Sequence, residues 1–180
     1  MTKNIKLIIG STRQNRIAPA VAEWVTAQAA AAAVTVEILD LKELNLPAFD
    51  APVPPAYAPT ETEAGKTWAK IVTETDAFIF LTAEYNRSIP SSLKNAIDYL
   101  AAEWKGKPAA IVSYGYVDGG QSATNHLIDI FSWLKLDIIQ PTVNLQIAQT
   151  DFDETGAFTD IDTTFAPGKE TLAQAFERLK

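Results

Sequence analysis

Apolar positions in this chain come in short runs, and stretches of helical spacing separate them. Leu7-Ile8-Ile9 is an aliphatic run that stops at Gly10, after which Ser11–Arg16 is polar. From Ile17 the apolar residues Val21, Trp24 and Val25 recur at helical spacing, with Pro19 in the first turn, where its missing N–H is tolerated. Ala27–Ala33 prolongs that helix through residues of high propensity. Val34–Leu41 predicts a second strand. The stretch 46–59 holds five prolines and predicts an irregular surface loop rather than an interdomain linker. Thr60–Thr75 predicts a helix with Trp68, Ile71 and Val72 on one face. Ala77–Leu81 is uninterruptedly apolar, the pattern of a parallel strand covered on both faces. Thr82–Pro90 is polar, and Ser91–Trp104 predicts a third helix. Lys107–Tyr114 predicts a fourth strand, and Gly115–Gly120 a loop with three glycines. Ala123–Leu136 has helical spacing, Thr142–Ile147 predicts a fifth strand, and Thr171–Lys180 a closing helix. The stretch 150–165 is poorly periodic, and a short hairpin or an ordered loop is expected there.

Strands alternating with helices in a chain of 180 residues imply one α/β domain, 1–180, with a doubly wound parallel sheet. The natural arrangement at this size is the flavodoxin-like order 2-1-3-4-5, with helices on both faces. In that order ligands bind at the carboxyl ends of strands one and three.

Composition narrows the function. The formal net charge of −7 argues against a general nucleic-acid surface or docking to anionic membranes. The absence of cysteine excludes disulfides and thiolate metal sites, and a single histidine, His126, argues against His-based triads and multi-histidine metal centres. With no long apolar run, a soluble cytoplasmic protein that binds neither nucleic acid nor membrane is expected.

Three loops should then surround one crevice: Ser11–Arg16, Thr82–Pro90 and Tyr114–Gly120. The first offers hydroxyls, backbone N–H groups and two guanidinium groups at the positive end of a helix, the parts of an anion site. With one glycine, it is neither a GxGxxG nor a Walker loop and suits a terminal phosphate monoester better than a triphosphate. The second offers Glu84, Tyr85, Asn86 and Ser88. The third offers glycines that let backbone approach a flat ligand. A phosphate at one end and a planar, hydrogen-bonding ring at the other is the outline of FMN. Asp40 and Asp137 read as ordinary polar residues and His126 as a helix-face residue. A receiver-type signalling domain shares the topology but needs an aspartate cluster where Gly10-Ser11 stand.

GSTRQNRIAPAVAEWV, AEYNRSIPSSLKNAIDYL and EWKGKPAAIVSYGYVDGGQSATNHL together resemble the NADPH-dependent FMN reductase family, over Lys3 to about Pro141. That family is a flavodoxin-like group including quinone, chromate and azo-compound reductases. The resemblance implies a phosphate loop at Ser11, Arg13, Arg16 and Ile17. It implies an isoalloxazine-side loop at Glu84, Tyr85, Asn86 and Ser88, and a glycine loop at Ser113, Gly115, Gly119 and Gly120. Ala83 stands where the family usually has proline. The implied activity passes electrons from NADPH or NADH through non-covalent FMN to a small acceptor in a ping-pong cycle. The chemistry would run at flavin N5, with no catalytic side chain and no metal, in a homodimer or tetramer. A flavodoxin-like electron carrier docking to redox partners is the alternative. Arg87 is a candidate for a nucleotide 2′-phosphate, and the helix 91–104 a candidate subunit contact.

Overall fold

A computed structural model describes residues 3–180. Its centre is the predicted parallel sheet. The strands are β1 (Ile5–Ile9), β2 (Glu37–Asp40), β3 (Ala77–Ala83), β4 (Pro108–Gly115), β5 (Asp137–Ile138) and β6 (Val143–Gln146). The order is β2-β1-β3-β4-β5, and β6 also pairs β4. All pairings are parallel, with Ile9 level with both Asp40 and Leu81, and Ala83 level with Tyr114. The carboxyl ends of the strands therefore share one edge.

Successive β3 residues point to opposite faces, and both faces are covered. Ile79 and Leu81 belong to the cluster under α1 (Ala18–Ala31) and α7 (Lys169–Leu179). Phe78 and Phe80 belong to the cluster under α3 (Glu63–Glu74), α4 (Ser91–Asp98) and α5 (Gln121–Leu134). Burial on both sides explains why β3 reads as a continuous apolar run rather than an alternating one.

Several boundaries differ from expectation. Strand two is shorter than Val34–Leu41, and a four-residue helix, α2 (Leu41–Leu44), follows it under the cap of Asp40. β3 runs on through Thr82 and Ala83, so the polar loop begins at Glu84. The third helix stops at Asp98 and a separate 3-10 turn holds Ala102–Trp104. Strand five is two short pieces flanking a cis Gln140–Pro141 bond. The stretch 150–165 contains an antiparallel bridge from Phe152 to Phe158 and a short helix, α6 (Ile161–Thr164). Leu93, Ile97, Tyr99, Leu100 and Trp104 are all core residues, so they offer no surplus surface to another subunit. No helix among the described residues is long and apolar enough to cross a membrane.

Candidate functional site

The loop after β1 is held from below. Gly10 N–H donates to the Leu81 carbonyl at 2.9 Å, and the Gly10 carbonyl accepts from Ser92 Oγ at 2.6 Å. A Cβ at Gly10 would lie 3.0 Å from Leu93 Cδ2 and 3.1 Å from the Leu81 carbonyl, so the residue is small because α4 and β3 crowd it. Beyond Gly10 the loop is open. Gln14 and Asn15 form a turn, and among the described residues the backbone N–H groups of Thr12 and Arg13 ahead of it have no protein acceptor. Helix α1 begins without a side-chain cap and without an acidic residue in its first turn. Arg13 is exposed, with no ion-pair or hydrogen-bond partner among the described residues. Free N–H groups, a guanidinium and a helix N-terminus form a donor set that fits a phosphate.

Arg16 is placed differently. One guanidinium nitrogen donates to the Ser11 carbonyl at 2.7 Å and the other pairs with Asp40, and its side chain is 8% exposed. Asp40 is thus no ordinary surface residue, because it also caps α2 through Lys42 N–H. Ile17 is half-buried and packs on the core beneath α1.

The second loop meets the first through side chains. Tyr85 OH lies 2.6 Å from the buried Ser11 Oγ. Tyr114, at the end of β4, adds a third hydroxyl. Its pKa is raised well above that of an ordinary tyrosine, by burial first and then by Tyr85, while Arg13, Arg16 and the Ser11 hydrogen bond oppose the shift. It therefore stands as a neutral phenol at physiological pH. Tyr85 and Ser88 exchange backbone hydrogen bonds of 2.8 and 3.0 Å around Asn86 and Arg87, whose φ angles are 50° and 66°. Two positive φ values make this a type I′ turn. It presents the exposed Asn86 at its tip, and Ser88 is turned to His126, with Oγ 2.8 Å from Nδ1. His126 is thereby tied to this turn rather than being a bystander on its helix.

The third loop is closed on itself. Ser113 is fully buried: its Oγ donates to the Gly119 carbonyl at 2.7 Å and accepts from Thr124 and Asn144. A Cβ at Gly119 would meet the Asn144 carbonyl carbon at 2.7 Å, one at Gly120 would meet Ser113 Cβ at 3.0 Å, and one at Gly115 would meet Gly120 N at 3.0 Å. The close backbone approach that the glycines were expected to give a flat ligand is taken up within the chain. Glu84 joins this loop to the second, accepting from Ser122 and Ala123 N–H at 3.1 and 3.4 Å. Arg87 reaches Asp118 at 3.5 Å.

The fold thus brings Ser11, Arg13, Tyr85, Asn86 and Glu84 to one edge of the sheet, with Gly115, Gly119 and Gly120 beside them. It draws Arg16 and Ser113 inward. Sequence reasoning missed Asp40, Asp118, Ser92 and Asn144. Asp40 before LKEL and Asp118 before the helix of Gln121 are both recognisable as caps. Ser92 and Asn144 left no local sign.

Comparison with known proteins points the same way. The profile of the family described as NADPH-dependent FMN reductase matches residues 4–150. An NAD(P)H-dependent FMN reductase of Saccharomyces cerevisiae is 33% identical over 150 residues, 75% of this chain and 76% of that one. A quinone reductase of Pseudomonas putida is 31% identical over 164 residues, covering 87% of this chain and 85% of its own. Among solved structures, a flavoenzyme NAD(P)H:(acceptor) oxidoreductase of Paracoccus denitrificans superposes with a TM-score of 0.72, at 24% identity and 98% coverage of both chains.

Proposed function

The chain belongs to the NADPH-dependent FMN reductase family and is an oxidoreductase, and on that footing we propose a specific role for its site. It binds FMN at the carboxyl edge of the sheet and passes electrons from NAD(P)H to a small acceptor such as a quinone, flavin, azo compound or metal oxyanion. The observation that carries this reading is the junction of the first two loops. A set of free donors, Arg13 and the N–H groups of Thr12 and Arg13, adjoins the Tyr85–Ser88 turn through the Ser11–Tyr85 contact.

The flavin, when bound, supplies the hydride and electron chemistry, so no protein acid or base is required. The chain's own residues have other tasks. Arg13 and the loop N–H groups neutralise and orient the phosphate end. Asn86 and the backbone of the type I′ turn face the ring's polar edge. Tyr85, held by Ser11, borders the ring and limits access from one side. Donor and acceptor use the flavin in turn, in a ping-pong cycle. We further propose a homodimer or tetramer; exposed Trp133 and Tyr57 support a subunit contact away from the buried face of α4.

The test is direct. Purified protein should show a flavin spectrum and release FMN, not FAD, on denaturation. Anaerobic NADPH should bleach it in stopped flow, and double-reciprocal plots against a quinone should be parallel. A bound flavin that NADPH leaves oxidised would favour the electron-carrier reading, and a colourless chain that takes up no FMN would end both.

A further inference from the structure

We propose that Asp40 is a positioning residue for the cofactor phosphate. It turns Arg16 from a phosphate ligand into an internal strut, and it leaves Arg13 as the guanidinium that recognises the anion. This rests on the reading above that the loop after β1 holds the phosphate of FMN.

The placement starts with the sheet. Register sets Asp40 beside Ile9, so the carboxyl end of β2 lies against the residue that leads into Gly10 and Ser11. From there its carboxylate does two things. Oδ1 accepts from Lys42 N–H at 2.9 Å, which fixes the side chain against the start of α2. The other oxygen takes Arg16, and Arg16 in turn donates to the Ser11 carbonyl at 2.7 Å. The two side chains are 8% and 17% exposed, and a pair so little solvated holds its geometry because either charge alone would be poorly hydrated.

Two consequences follow for the loop. First, the charges of Arg16 and Asp40 cancel, so the pair adds little net field at the anion position. The uncompensated charge of the loop is that of Arg13. Second, the Ser11–Thr12 peptide is planar and trans, so drawing the Ser11 carbonyl toward Arg16 sends the Thr12 N–H the opposite way. That N–H has no acceptor among the described residues. The strut therefore sets the direction of a donor it does not itself provide.

The experiment compares FMN with riboflavin, which differ by the phosphate alone, in the full-length chain stripped of flavin. Asp40→Asn keeps an acceptor at the cap and removes the charge. Arg16→Gln removes the other half, and the double variant leaves the summed charge unchanged. If Asp40 acts by positioning, all three lose about tenfold of the FMN-over-riboflavin preference, while riboflavin affinity stays within about twofold. Riboflavin binding also reports that each variant is folded. If a single variant fails to fold, the double variant decides: a wild-type preference there overturns the proposal. An Asp40→Asn protein that keeps or gains preference for FMN while Arg16→Gln loses it would also overturn the proposal, and would make Arg16 a direct ligand. A wild-type chain that binds FMN and riboflavin alike removes the phosphate reading itself, and the strut with it.

Discussion

Two helices begin at the same edge of the sheet, and their first turns are treated in opposite ways. At α5, Asp118 Oδ1 accepts from Gly120 and Gln121 N–H, and Glu84 accepts from Ser122 and Ala123 N–H. At α1 there is no side-chain cap and no acid, and the N–H groups leading into it lack acceptors among the described residues. Each helix of 14 residues carries the same partial positive charge at its start. One is filled by carboxylates of the chain itself, and the other is left for something else. A helix N-terminus is thus only a potential anion site, and what distinguishes the two is whether the protein occupies it first.

The strongest way to break the contrast is to open the closed end. Gly119 has φ +65°, and an added Cβ would come within 2.9 Å of backbone atoms of Asn144 and Leu145. Gly119→Ala should cost about 3 kcal/mol, combining left-handed strain with a backbone clash, read as a drop in the denaturation midpoint. Loss below about 1 kcal/mol would mean that the loop has room to shift. Next in size is the open end. Arg13→Glu places a carboxylate where α1 offers donors, and it should weaken FMN binding about a hundredfold by flavin titration. Stability should move by no more than about 0.5 kcal/mol, since Arg13 has no partner to lose among the described residues. Third, Glu84→Ala leaves two N–H groups of α5 without their carboxylate and should cost about 2 kcal/mol in chemical denaturation. A stability unchanged by Glu84→Ala would show that Asp118 alone closes the α5 terminus.

The contrast between these termini also marks what the sequence could and could not tell. The sheet order and the three converging loops were legible because β1, β3 and β4 are bounded apolar runs and the connections between them carry helical spacing. The family motif named the residues expected to line the crevice. What stayed hidden was the direction of each side chain. Ser11, Arg13 and Arg16 look equivalent as phosphate donors, yet Arg16 finds Asp40, 24 positions away across β2, and is drawn inward. Ser113 and the glycines look like a ligand cradle, yet Ser113 is consumed by Thr124 and Asn144, whose proximity depends on β6 pairing with β4. Breaks such as that at Asp98 were equally unreadable, since Leu100 and Trp104 keep helical spacing in a segment that has already left the helix. Long-range partners decide these outcomes, and local pattern carries no trace of them.

The smallest expected effect concerns the link between the two ends. Arg87 sits at the second central position of the type I′ turn with φ +66°, a place that favours glycine. An L-residue there carries about 1–2 kcal/mol of strain. Its compensation is ion pairing with Asp118 at 3.5 Å and Glu84 at 3.9 Å from a side chain that is 67% exposed, and such pairs contribute about 0–1 kcal/mol. Strain relief should therefore outweigh the lost pair even after the greater chain entropy of glycine is charged against it. Arg87→Gly is expected to raise stability by about 0.5 kcal/mol, measured by urea denaturation at low and at high salt, with the gain larger at high salt, where the wild-type pair is screened. A loss of more than about 1 kcal/mol at low salt that vanishes at high salt would reverse the inference. It would mean that charge between Arg87 and the carboxylates of Asp118 and Glu84, rather than the backbone of the turn, keeps the Tyr85 loop against the filled terminus of α5.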